Sequence, residues 1–93
     1  MTNKINASHI LVSTKEEADE IYNNLKQGFN FEAIAKQKSK CPSGEKGGNL
    51  GWFGRGQMVK EFENAAFRLK KGEISQPVKT QFGWHIIRVD DVR

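Results

Sequence analysis

The spacing of apolar positions changes along the chain and marks out its elements. The stretch "INASHILVS" is rich in β-branched residues and predicts a strand of about seven residues. Alternation there puts Ala7, His9 and Leu11 on one face and Ser8, Ile10 and Val12 on the other. The period then lengthens: Ala18, Ile21, Tyr22 and Leu25 recur at i, i+3, i+4 and i+7, one apolar stripe of a helix. Thr14 and Glu17 have capping-box spacing, acids fill the first turn, and Gly28 supplies the stop. A shorter helix follows over "NFEAIAKQKS", with Asn30 as its cap and Phe31, Ile34 and Ala35 facing inward.

The middle of the chain, "CPSGEKGGNLGWFGRG", holds six of the nine glycines and reads as a loop around one short strand, "NLGWF". Pro42 ends any continuing helix, because it lacks an N–H and restricts Cys41 before it. Next, "MVKEFENAAFRLKKG" places Phe62, Ala65, Ala66 and Leu69 at helical spacing, with Lys70 and Lys71 in the last turn and Gly72 ending it. The tail reads as two strands joined at "TQFG", with Pro77 at a strand start or edge. Trp84, Ile86 and Arg88 alternate with His85, Ile87 and Val89 along the final strand. The order strand, helix, helix, strand, helix, strand, strand is an α+β pattern with a small, mainly antiparallel sheet of about four strands.

Ninety-three residues, 37% hydrophobic and 28% charged, make one domain over 1–93, too short for two cores. No run approaches the ~18 apolar residues of a membrane span, and "MTNKINASHI" lacks the apolar run of a signal peptide. One cysteine leaves no internal disulfide and suits a reducing compartment, so a cytoplasmic location is expected. The net charge of +4 is uneven. Residues 36–60 carry Lys36, Lys38, Lys40, Lys46, Arg55 and Lys60 against Glu45 alone. Such a segment either keeps a small protein soluble or attracts anionic partners.

His9 and His85 both stand in strands beside branched apolar residues, "SHIL" and "WHII". A histidine there must find a hydrogen-bond partner or bear a desolvation cost of a few kcal/mol. If the strands are neighbours, the imidazoles can bond to each other, to Ser8 or Thr80, or to Cys41; two separate structural histidines are the plainer option. A cysteine-nucleophile site has no recognisable motif here. A zinc site from His9, Cys41 and His85 lacks the closely spaced pairs such sites show, so no metal is expected. The glycine loop carries neither phosphate-binding fingerprint and reads as backbone needing positive φ angles. Leu50, Met58, Phe62 and Phe82, with Trp52, Phe53 and Trp84 close in sequence, are either core or the lining of a shallow apolar pocket. Met58 and Phe62 share a face if the third helix begins by Met58.

Three segments carry a resemblance that spans nearly the whole chain: "ASHILV", "FEAIAKQKSKCPSGEKGGNLGWFGRGQMVKEFENAAFRLKKGEIS" and "PVKTQFGWHIIRV". Their order and spacing resemble the parvulin-type peptidyl-prolyl cis/trans isomerases. The resemblance implies a four-stranded, mostly antiparallel sheet wrapped by three to four helices, with the site on its concave face. It also implies a rotamase that assists protein folding, monomeric and free of cofactors. His9 and His85 match the family's paired sheet histidines, and Cys41 its pocket cysteine, where some members have aspartate. Thr80 matches a hydroxyl behind the histidines. Leu50, Met58 and Phe62 match the walls that receive the substrate proline, Phe82 a rim aromatic, and Gln57 the flank of the peptide groove.

The chain departs from relatives that require phosphorylated substrates. "HILVSTKEEA" runs from strand to helix cap with no basic insertion, which implies unphosphorylated X–Pro substrates with broad tolerance at X. A proline-peptide binding or chaperone module with little catalysis is the alternative. Nucleic acid is not expected as a partner, whereas weak contact with an anionic surface through Lys36, Lys38, Lys40 and Lys46 is. Salt-sensitive retention on heparin or anionic vesicles tests that contact.

Overall fold

The computed structural model describes residues 3–93. Its elements are β1 (Lys4–Val12), α1 (Lys15–Lys26), α2 (Phe31–Lys38), a 3₁₀ turn (Pro42–Lys46), β2 (Asn49–Gly54), α3 (Lys60–Phe67), β3 (Val78–Thr80) and β4 (Gly83–Val92). The four strands form one sheet in the order β2-β1-β4-β3, antiparallel at each pairing. The expected α+β order is therefore observed. Central β1 and β4 pair Leu11 with His85 and His9 with Ile87, which makes the two histidines diagonal neighbours on one face.

Alternation along these strands divides the core into two layers. Ile10, Val12 and Ile86 pack under Ala18, Ile21 and Leu25 of α1 and Phe31, Ile34 and Ala35 of α2. Ile5, Ala7, Ile87 and Val89 face the other way, against Phe53, Phe62 and Ala66. The capping box of α1 is present: the Glu17 amide donates to Thr14 Oγ1 at 3.2 Å and the Thr14 amide donates to Glu17 Oε1 at 3.2 Å. Asn30 caps α2 by accepting from the Ala33 amide at 2.8 Å. Pro77 lies just before edge strand β3, where its missing donor costs no ladder bond.

The third helix is shorter than its sequence pattern suggests. It begins at Lys60 rather than Met58 and ends at Phe67, so Lys70 and Lys71 lie beyond its last turn. Val59 is extended, at φ −60° and ψ 149°, and at the far end the Arg68 amide donates to the Ala65 and Ala66 carbonyls. The chain then turns back to the sheet, where the Gly72 amide donates to the Val89 carbonyl at 2.7 Å and the Ser75 amide to Ile87 at 2.7 Å. Tertiary backbone bonds to β4 thus outcompete another helical turn. At eight residues, α3 spans only about 12 Å and covers the Ile87–Val89 end of its sheet face. The end bearing His9, Leu11 and His85 stays open.

Candidate active site

That open end is a pocket of about 370 Å³. Its floor is His9, Leu11 and His85; its sides come from Lys40, Cys41 and Pro42, from Leu50, and from Met58, Val59, Phe62 and Phe82. Two glycines let the surrounding loops approach the sheet. Gly48, at φ +91°, lies where a Cβ would be 2.4 Å from the His9 carbonyl oxygen, and its own carbonyl accepts from the His9 amide at 2.9 Å. Gly83, at φ +138°, would place a Cβ 2.5 Å from the Val12 carbonyl oxygen. The first brings in the chain leading to Leu50, and the second turns the chain sharply behind Phe82.

The floor is a hydrogen-bonded relay. His9 Nδ1 and His85 Nδ1 are 2.9 Å apart, and the rings stack at 17° with centroids 5.1 Å apart. His85 Nε2 lies 2.7 Å from Thr80 Oγ1, which in turn accepts from the Phe82 amide at 3.1 Å. Both histidines are buried, and burial lowers each pKa to about 4, helped at His9 by the neighbouring ring. Both are therefore neutral at pH 7, each with one donor and one acceptor. In one arrangement Thr80 donates to His85 Nε2 and His85 Nδ1–H donates to His9; in the other, His9 Nδ1–H donates to His85 and His85 donates to Thr80. Either way His9 Nε2 is left without a partner among the described residues. Phe62 stands edge-on to both rings, at 5.5 Å from His9 and 5.3 Å from His85.

The site residues expected from sequence fall into three positions. His9, Cys41, Leu50, Met58, Phe62, Phe82 and His85 line the pocket together. Thr80 sits behind His85, buried. Gln57 lies outside the lining: its Oε1 accepts from the Gly54 amide at 2.5 Å, closing the turn that leads to Met58. Met58 and Phe62 meet at the pocket although Met58 precedes the helix. Ser8 does not join the histidines; it donates to Asp90 Oδ2 at 2.6 Å on the opposite face, in a network with Arg88 and Glu32. Trp84 packs on the α1–α2 layer, Trp52 lies beneath the Arg93 guanidinium, and Phe53 backs Phe62 from the core. Leu11, Lys40, Pro42 and Val59 are further lining residues. Leu11 could have been found from its i+2 relation to His9; the others only as chain neighbours of Cys41 and Met58.

A paired-histidine floor beneath an apolar wall is the arrangement that the resemblance implies, and comparison with known proteins decides the family. Residues 6–91 match the Rotamase model, the PPIC-type PPIase domain. The chain belongs to the PPIC-type peptidyl-prolyl isomerases. It is 56% identical over 89 residues to the foldase protein PrsA of Geobacillus sp. (strain WCH70), covering 95% of this chain and 32% of that protein. The crystal structure of the peptidylprolyl isomerase PrsA from Bacillus anthracis superposes with a TM-score of 0.97 at 49% identity, over 99% of this chain and 43% of that one. NmPin, the parvuline of Nitrosopumilus maritimus, superposes at 0.85 with 51% identity, over 96% of this chain and 97% of that one. The chain thus spans about a third of the length of the curated PrsA relatives, and nearly all of the length of the parvuline NmPin.

Proposed function

We propose that this PPIC-type domain accelerates rotation about X–Pro bonds in unphosphorylated protein segments without covalent chemistry, and so assists protein folding. The observation that carries the reading is the pocket itself, an apolar wall of Leu50, Met58 and Phe62 above two neutral, hydrogen-bonded histidines. An X–Pro bond rotates over a barrier of roughly 18–20 kcal/mol because resonance holds the amide planar, and uncatalysed exchange takes ~10–100 s. Reaching about 10 ms requires a factor of ~10⁴, or roughly 5 kcal/mol. No bond breaks, so no nucleophile is required.

Twisting the amide removes its resonance, weakens the carbonyl dipole and turns the nitrogen into a better acceptor. A pocket that grips the proline ring and offers few polar groups favours that less polar twisted state over the planar one. In this reading Met58 and Phe62 hold the ring, while Cys41 acts electrostatically beside the rotating carbonyl. His9, His85 and Thr80 fix the geometry and protonation of the floor. A protease-coupled assay with acetylated Ala-Ser-Pro-Phe peptides tests it. Full acceleration is expected without a phosphate on serine; strict dependence on the phosphate would overturn the unphosphorylated-substrate reading.

The domain acts as a monomer in the cytoplasm, a reducing compartment that its single thiol at Cys41 suits. Light scattering that gives a dimer mass, or recovery of the native protein outside the cytoplasmic fraction, would refute those two points respectively. Exposed Lys36, Lys38, Lys40 and Lys46 give it weak affinity for anionic surfaces. Vesicle binding insensitive to salt and lipid charge would count against this.

A further inference from the structure

We propose that Lys40 makes the pocket favour segments with a carboxylate side chain at the residue immediately before the proline; this rests on the isomerase reading above and narrows the broad tolerance at that position. Lys40 is the only Lys, Arg, Asp or Glu in the pocket lining. Both histidines of the floor are neutral at pH 7, so the ammonium sets the sign of the field at the mouth. Its charge is available, because the ion pairs of the described residues use Lys15, Arg55, Lys71 and Arg88 but not Lys40.

The side chain is also held at the rim rather than swinging free of it. Its ammonium donates to Ser13 Oγ. Its backbone amide donates to the Leu11 carbonyl at 2.8 Å, while Ser39 Oγ accepts from the Leu11 amide at 3.1 Å and the Cys41 amide at 3.4 Å. This corner is therefore tied directly to the strand that carries His9.

The orientation of a bound segment follows from the two sides of the pocket. Leu50 of β2, Met58 from the turn before α3 and Phe62 of α3 supply an apolar wall, the place for a proline ring. The acyl residue, whose carbonyl rotates, then lies toward the Lys40–Cys41 corner. A Glu or Asp side chain there meets the ammonium at the solvent edge, where neither charge must be fully desolvated. A Lys or Arg side chain there meets repulsion from the same ammonium.

The test compares kcat/KM for acetylated, amidated Ala-Glu-Pro-Phe, Ala-Gln-Pro-Phe and Ala-Lys-Pro-Phe, so that no terminal charge contributes. A solvent-edge ion pair predicts a Glu-over-Gln preference of about threefold to fivefold at low salt, shrinking toward unity at about 0.5 M salt. The Lys peptide is expected to be the slowest. Lys40→Gln should erase the preference and Lys40→Arg should keep it. Lys26→Gln, which removes the same charge from α1 on the opposite face of the sheet, should leave it unchanged. Equal rates for Glu and Gln in the wild type, or a preference that survives Lys40→Gln, would overturn the proposal while leaving the isomerase intact. Acceleration of none of the peptides would overturn the isomerase reading itself.

Discussion

Acidification should unfold this domain through its two histidines. Burial holds both imidazoles neutral in the native state, with pKa values lowered to about 4, whereas an unfolded chain takes up a proton on each near pH ~6.5. Between those values the unfolded state binds more protons than the native state. Stability is therefore complete above pH ~6.5 and is lost as the pH falls toward ~4. One such histidine alone costs roughly 2.5 kcal/mol at about pH 4.5. Relaxation of the surroundings around a charged imidazole offsets part of this, so about 3 kcal/mol for the pair is the expected order. A chain of this size has about 5–14 kcal/mol in all. Urea unfolding followed by the fluorescence of Trp52 and Trp84 at a series of pH values measures it. Glu32 and Asp91, whose carboxyls are lowered by the Arg88 hydrogen bond and the Val92 amide respectively, lose their contribution only below about pH 4.5. The fall between about pH 6.5 and 5 therefore isolates the histidines, and replacing His9 by Asn should flatten it by about one proton. A stability that is level or rising as pH drops through that window would refute the neutral, buried pair.

Three substitutions probe other parts of the structure. Thr80→Val removes the partner of buried His85 Nε2 and should cost about 1–3 kcal/mol in chemical denaturation, together with a clear loss of turnover, while Thr80→Ser should retain most of both. Gly48→Ala forces a Cβ onto the His9 carbonyl at a positive φ; a loss of at least about 2 kcal/mol in denaturation is expected, and a neutral result would refute the close approach of that loop. Glu63 accepts from the Gly56 amide at 2.5 Å and sits 3.7 Å from Arg55, bracing the turn before Met58. Glu63→Ala should therefore raise KM several-fold with a stability cost of about 1 kcal/mol, and Glu63→Gln should rescue KM.

The fold was legible wherever local chemistry and tertiary packing agree. Thr14, Asn30 and the apolar stripes of α1 and α2 set those helices from local sequence, and their expected inward residues are buried, Tyr22 only partly. The paired face of the histidines was legible as alternation, because His9 and Leu11 share a face of β1 as His85 and Ile87 share one of β4. What pairs with what was not. Ser8 stands next to His9 in sequence but points to Asp90, since neighbouring strand residues face opposite ways. The ends of α3 were misread because its helical pattern runs on through Leu69, while the Gly72 and Ser75 amides bond to β4. In the sequence Lys40 was one of four lysines, either solvated or facing an anionic surface, and only the fold places it in the pocket lining, bonded to Leu11 and Ser13.

Exchange NMR of an unphosphorylated Ala-X-Pro-Phe peptide, with wild type, Met58→Ala and Cys41→Ala in parallel, tests the central claim most directly. Cis/trans exchange should rise from the uncatalysed ~0.01–0.1 s⁻¹ by orders of magnitude with the wild type, fall sharply with Met58→Ala, and fall without vanishing with Cys41→Ala. Peptide binding at the pocket with no gain in exchange rate would contradict the account and leave a docking module in its place.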